Sequence, residues 1–69
     1  MKISSSQLVH SFEELYEIEK TARDYYEGLL GEDIPKNDRD VITRIMHDEI
    51  RHMQVAKEII QLIKDNDAD

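Results

Sequence analysis

The chain has 69 residues, enough for one domain but for only a small core, so a metal or a partner is expected to help hold it together. It contains no cysteine, which excludes disulfides, iron–sulfur clusters and rubredoxin-type iron. Sixteen acidic residues against nine basic ones give a net charge of -7, which argues against nucleic acid and anionic membrane surfaces as partners.

The opening Met1-Lys2-Ile3-Ser4-Ser5-Ser6 lacks the apolar core of a signal peptide, and no apolar run approaches the roughly 20 residues of a membrane span. A cytoplasmic protein, or one held inside a cytoplasmic compartment, is the expectation. Ser5 or Ser6 is placed to cap a first helix over about residues 6–30, with Gly31 just past its end. Gly28 lies inside this helix at a cost of about 1 kcal/mol relative to alanine. A turn over 31–37 holds the single proline, Pro35. Asn37 or Asp38 is placed to cap a second helix over about 38–64, whose positive end Asp38 and Asp40 favour. The tail Asp65-Asn66-Asp67-Ala68-Asp69 is polar and acidic and is expected to fray.

In the first helix Leu8, Phe12, Leu15, position 19, Ala22, Tyr26 and Leu29 alternate in steps of four and three residues. In the second, Ile42, Ile45, position 49, position 52, Ala56, Ile59 and Ile63 do the same. Both are unbroken coiled-coil seams, the period of a helical bundle. A row of Val41, Val55 and Leu62 widens the second seam on one side, and Met46, Met53 and Ile60 widen it on the other. One hairpin cannot cover faces that wide, so the predicted fold is an all-α antiparallel hairpin that dimerises into a four-helix bundle.

Three ionisable residues, Glu19, Glu49 and His52, occupy seam positions where apolar ones are expected. A buried carboxylate persists there only with protons, partners or a metal. Glu19 lies 11 residues before Leu30 and Glu49 lies 11 after Asp38. At about 1.5 Å of rise per residue, both sit roughly 16 Å from the turn, facing each other. His52, three residues beyond Glu49, shares its face. Two copies supply four carboxylates and two imidazoles: one Glu from each of two helices, and Glu-x-x-His from each of the other two. That is the ligand set of a ferritin-like di-iron or di-manganese centre. Oxygen and imidazole donors suit iron or manganese, and zinc can also enter. The alternative is a metal-free helical dimer in which a Glu–His–Glu network fixes register.

Around these residues, Tyr26 is in the seam two turns from Glu19, as a core filler or as a residue that hydrogen-bonds a ligand or carries an electron. Tyr16, one turn from Glu19, is a candidate to approach His52. Asp48 points about 100° away from Glu49 and is read as an outer-face or interface residue. His10 and His47 are off the seams, Arg51 is expected to pair with surface acids, and Glu13, Glu14, Glu17 and Glu27 form a solvated face. Met46 and Met53 are core or interface filler.

With these residues placed, the stretch from about Leu8 to Ile63 resembles the encapsulated ferritins, the two-helix branch of the ferritin-like superfamily. The pattern is Glu19, then Glu49-Ile50-Arg51-His52, with Tyr25-Tyr26 where that family commonly has Trp-Tyr. The resemblance implies a ferroxidase that oxidises Fe(II) at a di-iron site shared between subunits, with Glu19, Glu49 and His52 as ligands. It also implies a homodimer or a ring of dimers and passage of iron to an encapsulin shell, in support of iron storage or detoxification. Two features depart from the family. Ile18 and Thr21 stand where it carries metal-entry carboxylates, and the last residues here are acidic where it usually has an apolar docking peptide. Peroxide reduction or manganese chemistry at the same site is the alternative activity.

Overall fold

A computed structural model describes residues 2–66. It contains two helices, α1 (Ser5–Leu30) and α2 (Lys36–Asn66), and no strand among the described residues. Facing pairs run in opposite senses: Ser5 lies by Lys64, Phe12 by Ile59, Glu19 by His52, and Leu30 by Arg39. The hairpin is therefore antiparallel, a rod of 52 × 18 × 18 Å. No helix among the described residues is long and apolar enough to cross a membrane.

The cap of α1 is Ser4, not the expected Ser5 or Ser6. Ser4 Oγ accepts from the Gln7 backbone N–H at 3.1 Å, and Gln7 Oε1 accepts from the Ser4 N–H at 2.9 Å. This reciprocal box needs a polar side chain three residues after the cap. Gln7 provides one for Ser4, whereas Ser5 and Ser6 would meet Leu8 and Val9.

The second helix starts earlier than expected. It begins at Lys36, directly after Pro35, whose carbonyl accepts from Arg39 N–H at 2.9 Å. Asn37 and Asp38 thus lie inside its first turn rather than before it. The helix also runs on to Asn66, past the expected end at 64, while Asp67, Ala68 and Asp69 of the tail lie outside the described residues.

Gly31 caps α1 in a right-handed conformation (φ -78°, ψ -12°), so the helix does not stop through a left-handed glycine. A cation from the next helix serves the freed carbonyls instead. Arg39 Nη1 donates to Leu30 O at 2.7 Å and Nη2 to Glu32 O at 2.8 Å. One guanidinium fork thereby fastens the turn to the start of α2. A side chain at Gly31 would press on Gly28 O at 3.3 Å, whereas Gly28 faces open space.

Among the described residues only Met53 (7% exposed) and Ala56 (2%) are buried. The two helices meet along Val9, Phe12, Tyr16, Glu19, Arg23 and Tyr26 on α1, and along Ile42, Met46, Glu49, Met53, Ala56, Ile60 and Ile63 on α2, all buried or half-buried. Ala22, Leu29, Ile45 and Ile59 of the predicted seams are half-buried as well, and the contact is shifted from the seams toward the Met46–Met53–Ile60 row. Leu8 and Leu15 of the α1 seam, and the whole Val41–Val55–Leu62 row, remain exposed, Leu62 by 62%. The reason is geometric. A hairpin covers one flank of each helix, and a face wider than that leaves its far flank to solvent or to another molecule.

Candidate metal centre

Midway along the rod the three seam-breaking residues meet. One ligand-type atom from each of Glu19, Glu49 and His52 lies within 4.8 Å of the others, the one such trio among the described residues. Glu19 comes from α1 and the other two from adjacent turns of α2. Antiparallel pairing at equal distance from the turn therefore brings the carboxylates level. Glu19 and Glu49 are both half-buried, the Glu19 side chain 17% exposed. His52 is 50% exposed, and its Nδ1 stands 3.6 Å from Glu19 Oε2, too long for a hydrogen bond.

The trio borders the open flank. Glu19 and His52 line a cleft of about 200 Å³ whose other walls are Phe12, Leu15, Val55, Ala56 and Ile59. A polar centre rimmed by aliphatic side chains has little water to compete for it once that rim is covered. The donor chemistry fits a divalent ion. Two carboxylates carry the charge to balance one such ion, and imidazole adds a neutral donor. With metal–ligand bonds of about 2.0–2.2 Å, donors on one ion lie within roughly 4.4 Å of each other, close to the spacing of this trio. Three donors leave coordination positions open.

The remaining sequence candidates do not join this group. Tyr26 is half-buried, packs edge-on against Tyr25 with ring centroids 5.8 Å apart, and does not line the cleft. Tyr16, a candidate to approach His52, does not line the cleft. It turns to the other flank, where Lys57 Nζ sits 5.3 Å from its ring centroid. His10 pairs at the surface with Glu14 (2.9 Å), and His47 is exposed. Arg51 pairs with Asp48 at 3.4 Å, the surface ion pair expected of it. Arg23 is paired with Asp24 at 2.8 Å, a hydrogen bond that raises the guanidinium pKa further.

Two features escaped the seam pattern. One is the Arg39 fork, which no periodicity reports because it links a side chain to carbonyls. The other is the cleft beside the trio. Its signal was the Val41–Val55–Leu62 row, which together with Leu15 marked the flank left open. No family model, no curated protein and no solved structure matches this chain.

Proposed function

We propose that two hairpins pair through their open flanks to form a ferritin-like four-helix bundle, and that the bundle is a ferroxidase whose substrate is Fe(II). The observation that carries this reading is the convergence of Glu19, Glu49 and His52 within 4.8 Å at the edge of an otherwise apolar cleft. One hairpin offers two carboxylates and one imidazole, a match for one divalent ion. Pairing doubles the set to the four carboxylates and two imidazoles of a two-iron centre. It also covers Leu15, Val55 and Leu62, apolar surface that a lone hairpin leaves in water.

The roles follow from placement. Glu19, its side chain 17% exposed, would anchor the ion from α1. Glu49 would hold it from α2. His52, nearest the open flank, completes the set as neutral imidazole. The aliphatic rim excludes bulk water, and oxygen accepts the electrons released by Fe(II). The resemblance to encapsulated ferritins extends the proposal to iron storage or detoxification in the cytoplasm, with a ring of dimers and an encapsulin shell as further partners.

Native mass spectrometry with and without Fe(II) under anaerobic conditions tests the reading. Two irons per dimer are expected, followed by oxidation on admitting oxygen, and Glu49→Ala should abolish stoichiometric binding. A stable apo dimer that takes up no iron would instead favour the metal-free helical module, in which Glu19 and His52 only fix register. Manganese bound in preference to iron, or oxidation faster with peroxide than with oxygen, would move the activity to the other di-metal chemistries.

A further inference from the structure

The turn end of the rod carries an apolar groove that the scheme above does not use. It measures about 400 Å³, and Ile34, Pro35, Val41 and Ile42 line it together with one carboxylate, Asp38. The groove continues the open flank, because Val41, 52% exposed, begins the row that runs on to Val55 and Leu62. Asp38 makes no ion pair among the described residues. At the opposite end of the rod, residues 2–4 lead into α1, with Ser4 extended (φ -75°, ψ 159°). There Ile3 is 64% exposed, next to Lys2. An apolar side chain beside a cation complements an apolar groove beside a carboxylate. The two ends of a 52 Å rod cannot meet within one chain, so the match is one between copies.

We propose that two copies pair head to tail and that Ile3 of each seats in the turn-end groove of the other, with Lys2 facing Asp38. The inference rests on the pairing through open flanks proposed above. Bringing two trios to one level allows a two-fold axis either along the rod or across it. The place of the trio favours the second. Glu19 lies 14 residues after Ser5 and 11 before Leu30, Glu49 lies 13 after Lys36, and His52 lies 14 before Asn66. The trio is thus at mid-rod. An axis along the rod overlaps the copies fully wherever a site lies, whereas an axis across it does so only for a site at the middle. The levels also agree. Ser5 is about 21 Å from Glu19 along the helix, and two extended residues carry Ile3 to about 27 Å. By the same measure the groove runs from about 12 Å beyond Glu49 at Val41 to about 26 Å at Ile34. Rotation about the crosswise axis therefore lays Ile3 against the Ile34 end of the partner's groove.

Spin labels test the arrangement. The chain has no cysteine, so Ser6→Cys takes one label per copy at an exposed position of α1. Ser6 lies 13 residues from Glu19, about 20 Å along the rod, so head-to-tail pairing sets the two labels about 40 Å apart. Pairing with both turns at one end would bring them within about 25 Å and overturn the proposal. Sedimentation, with or without anaerobic Fe(II) as the wild type requires for pairing, tests the contact. Ile3→Asp should weaken the dimer roughly ten- to hundredfold while the hairpin keeps its circular dichroism. Ile3→Ala and Val41→Ala should each weaken it, and together by less than the product of their separate factors, because each removes the other's partner. Lys2→Glu should weaken it a few-fold, and adding Asp38→Lys should restore it. Wild-type pairing in Ile3→Asp, or factors that simply multiply in the double variant, would overturn the docking while leaving the metal centre standing. A wild-type chain that stays monomeric both with and without Fe(II) would overturn the pairing reading and this inference with it.

Discussion

The two flanks of the hairpin have similar composition and different fates. On one, Met46, Met53 and Ile60 turn toward α1, and Lys57 lies over the ring of Tyr16. On the other, Leu8, Leu15, Val41, Val55 and Leu62 stay in contact with water, with His52 and Asp48 among them. The closed flank is complete within one chain. The open one carries His52 and Asp48 and is left uncovered by the hairpin. Contiguous exposed apolar surface marks interaction sites, which is why the proposed pairing and the proposed metal centre fall on one face.

Substitutions can separate the flanks. The largest effect is expected from Val55→Lys, which places a charge in the aliphatic cleft of the open flank. Sedimentation should show the dimer lost at concentrations where the wild type is paired; an unchanged dimer would place the interface elsewhere. Met53→Ala, on the closed flank, removes one of the two side chains buried among the described residues and should cost about 2–4 kcal/mol in thermal or denaturant unfolding. A cost under about 0.5 kcal/mol would show that the closed flank does not hold the hairpin together. Arg39→Ala should cost about 1–2 kcal/mol, because two carbonyls lose a charged donor at a partly exposed site. The smallest change is a gain. Gly28 faces open space, so Gly28→Ala should add about 0.5–1 kcal/mol without altering metal binding.

Much of this architecture was legible in the residues. The turn at Pro35 and the steps of three and four residues gave two helices, and the charged breaks at Glu19, Glu49 and His52 marked a shared depth. The structure brings those three together. Periodicity did not give the rotation of the contact. A seam of steps three and four defines the centre of an apolar arc, and in this chain the arc is wider than one helix–helix contact. Its centre therefore lies between the partner that the hairpin supplies and the flank left open. Leu15 and His52, central in the pattern, are peripheral in the hairpin for that reason. The Ser4 cap and the Arg39 fork were hidden for a different cause. Each depends on which of several adjacent polar groups finds a reciprocal partner, and spacing alone does not decide that.

The guanidinium of Arg39 does more than finish a helix. By clasping Leu30 and Glu32 it fixes the zero from which depth is counted along both rods, so Glu19 and Glu49 behave like equal marks on two rulers joined at one end. A single residue inserted between Glu19 and the turn would swing its carboxylate about 100° around the axis and raise it about 1.5 Å, out of level with its counterpart. The same insertion ahead of Leu8 or beyond Ile63 would leave the marks aligned. Natural length variation in chains of this design should accordingly gather at the open end of the rod and spare the 31 residues from Glu19 to Glu49.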